Sequence, residues 1–209
     1  MYPQFILVEG IDGSGKDTFA ALLQEAICEK FCYQEGASLS IVGQPAFRFD
    51  ACGSVRALIE RGHCDLPLAK MAALLSANRT QHEHYLTRYG GFIVSIRGLL
   101  TELATLQRIF GATASGNLGQ TRMIDKLLIV DLPAELAAKR IARRGGDVSW
   151  RESPDNLRFF RNFYLDWEPS AFIRHREVIE NTSRARLRTA ARRIAAELHL
   201  NAPREPNVS

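Results

Sequence analysis

The chain has 209 residues, 46% of them apolar and 24% charged. That is enough for one α/β domain with a buried core, and it excludes disordered, collagen-like and low-complexity scaffolds. No apolar run approaches the roughly 18 to 20 residues of a membrane span. The opening residues lack a basic stretch followed by an apolar signal segment, so the expectation is a cytoplasmic protein with no membrane partner. Net charge is +4, and 22 of the 27 basic residues are Arg. Residues 138–209 carry 15 Lys+Arg against 9 Asp+Glu, whereas residues 1–137 carry 12 against 14. An Arg-rich final third suits a solvated basic face, or contact with a phosphate-rich ligand or nucleic acid.

Strands and helices alternate along the chain. Phe5-Ile6-Leu7-Val8 is a fully apolar run closed by a Gly-rich stretch, the pattern of a buried parallel strand. Residues 17–31 follow with helical spacing. Residues 39–42 are a second strand, 53–61 and 67–88 read as helices, and 92–95 form a third strand. A helix over 99–110 leads into a polar, Gly-rich loop over 111–122. Residues 127–130 are a fourth strand and 134–144 a helix ending in Arg143 and Arg144. A charged loop over 147–155 precedes an aromatic-rich helix over 156–167, a weaker strand over 176–180 and an Arg-rich helix over 184–199. The pattern predicts a doubly wound, five-stranded parallel sheet flanked by helices, in one domain over residues 1–209 with a frayed tail from about 201. Phe159, Phe160, Phe163, Tyr164 and Trp167 share a helical spacing that suits a packed face or a surface for stacking bases. Cys28, Cys32, Cys52 and Cys64 lack metal-site spacing, so they read as reduced thiols.

The strongest motif is GIDGSGKDT: Gly10, Ile11, Asp12, Gly13, Ser14, Gly15, Lys16, Asp17 and Thr18. It sits between a strand and a helix, as a phosphate-binding P-loop must. Its glycines let backbone N–H groups converge on phosphate oxygens, the helix N-terminus adds positive potential, and Lys16 reaches the β- and γ-phosphates of ATP. Asp17 stands where the motif expects Ser or Thr to bind Mg²⁺. A carboxylate is itself a good Mg²⁺ ligand, so Asp17 is the candidate metal residue.

The segment FILVEGIDGSGKDT resembles the opening of thymidylate kinases. The resemblance continues through Leu74-Leu75-Ser76-Ala77-Asn78-Arg79, Ile93-Val94-Ser95-Ile96-Arg97 and Leu128-Ile129-Val130-Asp131-Leu132-Pro133. It implies a P-loop NTPase three-layer fold with an Arg-rich lid at about 140–156, with ATP and Mg²⁺ as cofactors, and with a homodimer as the default assembly. It places Asp12 beside the acceptor sugar, Arg79 and Arg97 near the acceptor, and Arg140, Arg143, Arg144 and Arg151 in the lid. Glu180-Asn181-Thr182 falls near the adenine-side loop.

The departures from that pattern gather on the acceptor side. The phosphate-gripping Arg after the second strand falls at Gly43, followed by Gln44 and Pro45, and Arg48 is the nearest replacement. The thymine-stacking aromatic falls at Leu75, the Asp of the Asp-Arg pair at Ile96, and a further aromatic at Thr105. An alcohol acceptor needs fewer cations than a phosphate acceptor, and it needs a carboxylate to take its proton. Asp12 and Asp17 are candidates for that carboxylate, with Glu9 a weaker one. The leading expectation is transfer of the γ-phosphate of Mg-ATP to a thymidine-like deoxynucleotide, specifically 5-hydroxymethyl-deoxyuridine within phage DNA. That acceptor belongs to one branch of the family that the chain resembles. The alternatives are thymidylate kinase, which turns dTMP into dTDP, or another nucleoside monophosphate kinase, and a non-catalytic nucleotide-binding protein.

Overall fold

The computed structural model describes residues 4–31, 39–43, 62, 66–86, 91–111, 123–146, 148–168 and 172–199. The expected helix over 53–61, Gln44, Pro45, Arg48, most of the 111–122 loop and the tail from 201 lie outside the described residues.

In chain order the elements are β1 (Gln4–Glu9), α1 (Lys16–Phe31), β2 (Leu39–Gly43), α2 (Leu68–Leu86), β3 (Phe92–Ile96), α3 (Leu99–Phe110), β4 (Lys126–Asp131), α4 (Ala134–Arg144), α5 (Pro154–Asp166), β5 (Arg176–Glu180) and α6 (Arg184–Glu197). All strand pairs are parallel, in the order β2-β3-β1-β4-β5. The chain returns from the β2 edge to lay β3 beside β1, then crosses to place β4 on the other side of β1. A crevice therefore opens beyond the carboxyl end of β1, where an open α/β sheet binds its ligand.

Strand β1 is apolar on both faces because both faces are covered. Phe5 and Leu7 pack with Leu100, Leu103, Ala137, Phe160 and Tyr164 from α3, α4 and α5. Ile6 and Val8 point the other way, into Phe19, Leu23 and Ile27 of α1 and Leu187, Ala191 and Ile194 of α6. The Lys30 ammonium closes this second layer by donating to the carbonyls of Ala195, Ala196 and Leu198 at 3.2, 2.7 and 2.6 Å. A cation at the end of α6 satisfies carbonyls that the helix cannot bond itself.

The structure departs from the sequence reading around residues 147–156. The aromatic helix begins at Pro154 rather than 156. Ser153 is its N-cap, accepting from the Asn156 N–H, and Pro154 takes the first turn, where its missing N–H costs nothing. The expected charged loop over 147–155 contains a 3₁₀ turn over Trp150–Glu152. Glu152 holds that turn by accepting from the Ser149 N–H at 2.9 Å and from Arg144 at 2.6 Å.

Leu75, expected at the acceptor, is 1% exposed and packs with Met71, Ala72 and Leu106 between α2 and α3. Leu75→Ala is expected to lower stability by about 2–5 kcal/mol and to leave ATP affinity unchanged, which urea unfolding and equilibrium ATP titration would read separately.

Candidate active site

The P-loop leaves β1 at Glu9 and enters α1 at Lys16. Gly10 has φ +151°, and a Cβ there would lie 2.6 Å from the Val130 carbonyl and 2.7 Å from Ser14 Oγ. Only glycine lets the loop pass this close to β4. Within the loop the Ser14 N–H donates to the Ile11 carbonyl at 3.1 Å, and the Asn181 side-chain amide, from the end of β5, donates to the Ser14 carbonyl. Gly13 and Gly15 also have positive φ. The loop thus turns its backbone around the N-terminus of α1, a geometry that suits phosphate oxygens.

Lys16 is 3% exposed and donates to Asp12 at 3.2 Å. Arg97 follows β3, and its guanidinium also donates to Asp12. Its backbone is left-handed, with φ +65°. The structure thus brings together three of the site residues expected from sequence. Burial works against the Asp12 anion, but Arg97 and then Lys16 outweigh it and hold its carboxyl well below the usual carboxylate range. Burial pushes the Lys16 ammonium down, and so does repulsion from Arg97. Burial works against the Arg97 charge, and Asp12 more than restores it.

The Arg-rich stretch divides. Arg140 on α4 points at the P-loop, with its Nη1 at 3.4 Å from the Gly13 carbonyl. Arg151 is 4% exposed, lies over the Phe160 ring at 4.8 Å, and keeps Nε and Nη1 without a hydrogen-bond partner. Burial and then repulsion from Arg97 push its guanidinium down. Arg144 turns instead to Glu152, and Arg143 is exposed at the end of α4. The aromatic helix also divides. Phe160 and Tyr164 belong to the core, while Phe159, Phe163 and Trp167 are partly buried against it.

Arg79 is 1% exposed and forms an ion pair with Glu102 of α3. This residue, expected at the acceptor, is held by a carboxylate of its own chain. Thr105, at a position where the sequence expects an aromatic, is buried and bonds the Thr101 carbonyl at 2.6 Å.

One cluster has no linear signature. Glu9 is wholly buried and accepts from the Thr101 N–H at 3.2 Å and from Thr101 Oγ1 at 2.6 Å. Thr101 Oγ1 lies 3.1 Å from the Tyr164 hydroxyl. Burial raises the Glu9 carboxyl above its ordinary value against these two bonds. Burial, then the Glu9 charge, pushes the Tyr164 phenol up to about 12. The members are 92 and 63 residues apart, so no spacing rule links them.

Among the described residues no group of three His, Cys, Asp or Glu is placed to hold a metal by itself. Magnesium bound alongside phosphates needs only one or two carboxylates. Asp17 in the first turn of α1 has a side chain 77% exposed, and Asp12 lies next to the same loop. That donor set fits Mg²⁺ shared with a phosphate ligand, and does not fit an all-protein cage.

Structures of this shape are known. The chain aligns with thymidylate kinase from Candida albicans at TM-score 0.67 and 18% identity, over 93% of this chain and 92% of that one. The fold is that of thymidylate kinase. The enzyme from Ehrlichia chaffeensis aligns at TM-score 0.60 and 18% identity, over 94% and 99% of the two chains. No protein-family model matches the sequence, and neither does any curated protein. No helix among the described residues is long and apolar enough to cross a membrane.

Asp12 gives this thymidylate kinase fold a defined acid response. Its carboxyl sits lower in the folded chain than the usual 3.8, so its contribution to stability is complete above that value and is lost as pH falls below it. Asp12→Asn is expected to flatten the acid limb of unfolding free energy against pH, measured by urea titration between pH 3 and 7.

Proposed function

We propose that this protein is an ATP-dependent phosphotransferase that moves the γ-phosphate of ATP to a nucleotide acceptor. The observation that carries the reading is the convergence of Lys16, Arg97 and Asp12 at the mouth of a glycine cradle. The thymidylate kinase fold over most of the chain supports it. Phosphoryl transfer needs little covalent chemistry from a protein. It needs positioning and charge around an in-line displacement.

The residues supply those needs as follows. Backbone N–H groups from Gly10 to Thr18 cradle the phosphates, and Lys16 binds their outer oxygens. Arg97 and Arg151 present buried positive charge toward the transferring group, with Arg140 at the rim of the loop. Asp17 and Asp12 are the residues that would hold Mg²⁺, which supplies charge neutralisation on the phosphate oxygens when bound. Asp12 also sets the orientation of Lys16 and Arg97 through its two ion pairs.

For the acceptor we propose a thymidine-like deoxynucleotide, with 5-hydroxymethyl-deoxyuridine in DNA as the first candidate. Two features favour an acceptor that brings no phosphate dianion of its own to the site: Gly43 stands where the resemblance expects a gripping Arg, and Arg79 is paired to Glu102. The second reading is dTMP, favoured by the shared fold with thymidylate kinases and by the retained Arg97. Either reaction proceeds in a cytoplasmic setting, and a homodimer is the assembly carried with the fold.

Lys16→Ala is expected to lower transfer by at least about 10²-fold, in line with loss of a preorganised charge at the transition state, with an unchanged far-UV spectrum. Near-normal activity in that variant would overturn the P-loop assignment. The acceptor is read from γ-labelled ATP and a panel of dTMP, other monophosphates, and oligonucleotides carrying thymine or 5-hydroxymethyluracil. Label on the hydroxymethylated oligonucleotide alone is the expected result. Label on dTMP alone would make the second reading correct.

A further inference from the structure

Helix α3 begins with a defect. Its N-cap is Gly98, which has no side chain to satisfy the first amides of the helix. The residue before it, Arg97, sits in the left-handed region at φ +65°, a conformation unfavourable for a non-glycine residue. Such strain persists only where the surroundings over-determine it.

The surroundings come from β1. The Arg97 N–H donates to the Val8 carbonyl at 2.9 Å. The next residue, Glu9, accepts the Thr101 N–H and hydroxyl through its two carboxylate oxygens. The last two residues of β1 therefore grip the corner that carries Arg97 from both sides. We propose that Glu9 is a positioning residue, whose buried carboxylate caps α3 from a neighbouring strand and fixes Arg97 against Asp12 and the P-loop.

The cap reaches a third element. Thr101 Oγ1 gives its proton to Glu9 and so accepts from the Tyr164 hydroxyl on α5. Tyr164 stands one turn after Phe160, whose ring lies against the Arg151 guanidinium. The P-loop strand, the corner bearing Arg97 and the helix under Arg151 meet at a single hydroxyl. Glu9 is 0% exposed and both its oxygens are occupied by Thr101, an arrangement suited to holding structure rather than to taking a proton from substrate.

The effect on rate rests on the phosphotransferase reading, whereas the cap itself does not, and the experiment keeps the two apart. Amide hydrogen exchange at Thr101, ATP affinity, and transfer to whichever panel acceptor is labelled are measured for Glu9→Gln and Glu9→Ala. Glu9→Ala is expected to speed Thr101 exchange by at least about tenfold and to lower kcat by about 10- to 100-fold, as a displaced charge does. ATP affinity should stay within about twofold, because the P-loop amides and Lys16 are untouched. Glu9→Gln can still accept the amide proton, and it should restore exchange and rate to within about threefold of the parent. If Gln is as damaging as Ala and removes the rise of rate with pH, Glu9 is a proton acceptor and the proposal is wrong. Unchanged Thr101 exchange in Glu9→Ala would also overturn it. Should Glu9→Ala not fold, Thr101→Val, which removes the hydroxyl bonded to Glu9, is expected to lower kcat with ATP affinity within about twofold, and parental kcat in that variant would overturn the proposal. Should the parent label no acceptor, the phosphotransferase reading fails while the exchange measurement still decides the cap.

Discussion

One carboxylate governs the site. Asp12 stands between Lys16 and Arg97, both largely withdrawn from water, and neutralises one of their two charges. Without it, a buried ammonium and a partly buried guanidinium would face each other with little water to screen them. With it, the pair is tolerable, and a surplus positive charge remains. Arg151 adds a further buried cation, whose Nε and Nη1 have no hydrogen-bond partner. The head of β1 is thus prepared for a polyanion by an imbalance that the protein leaves uncorrected.

The topology explains why these groups can meet. β1 lies at the centre of the sheet, with β3 and β4 parallel to it on opposite sides. Residues just past the strand ends therefore converge, although they lie far apart in sequence. Asp12 and Lys16 follow β1, Arg97 follows β3, and Asn181 follows β5. Asp131, at the end of β4, is held by a two-pronged bond from Arg161 at 2.7 and 2.8 Å. That bond keeps an acidic group at the end of β4 paired to a guanidinium.

Much of this was legible in the linear chain because it depends on local periodicity. The apolar runs, the glycine pattern and the Lys16 position specify strand, turn and helix within a few residues of one another. Arg97 was placed by the resemblance to thymidylate kinases, directly after a strand that its apolar run reveals. The fates of Leu75 and Arg79 could not, because each is decided by α3. Leu106 covers the one and Glu102 pairs with the other. The start of α5 was readable in principle from Ser153-Pro154-Asp155, a cap followed by a helix-compatible proline. The Glu9 cluster was out of reach, since nothing near Gly98 indicates that a neighbouring strand completes the helix.

The bonds from Lys30 to the end of α6 have a bearing on how the molecule comes into being. They join residues 165 to 168 positions apart, and the apolar residues of α1 pack against α6 as well as against the sheet. During synthesis the α6 side of that packing is missing until almost the whole described chain has emerged. The helix that follows the glycine loop is therefore made early and fully packed late. Such long-range closure makes for slow, cooperative folding, with the packing of α1 complete only once α6 is in place.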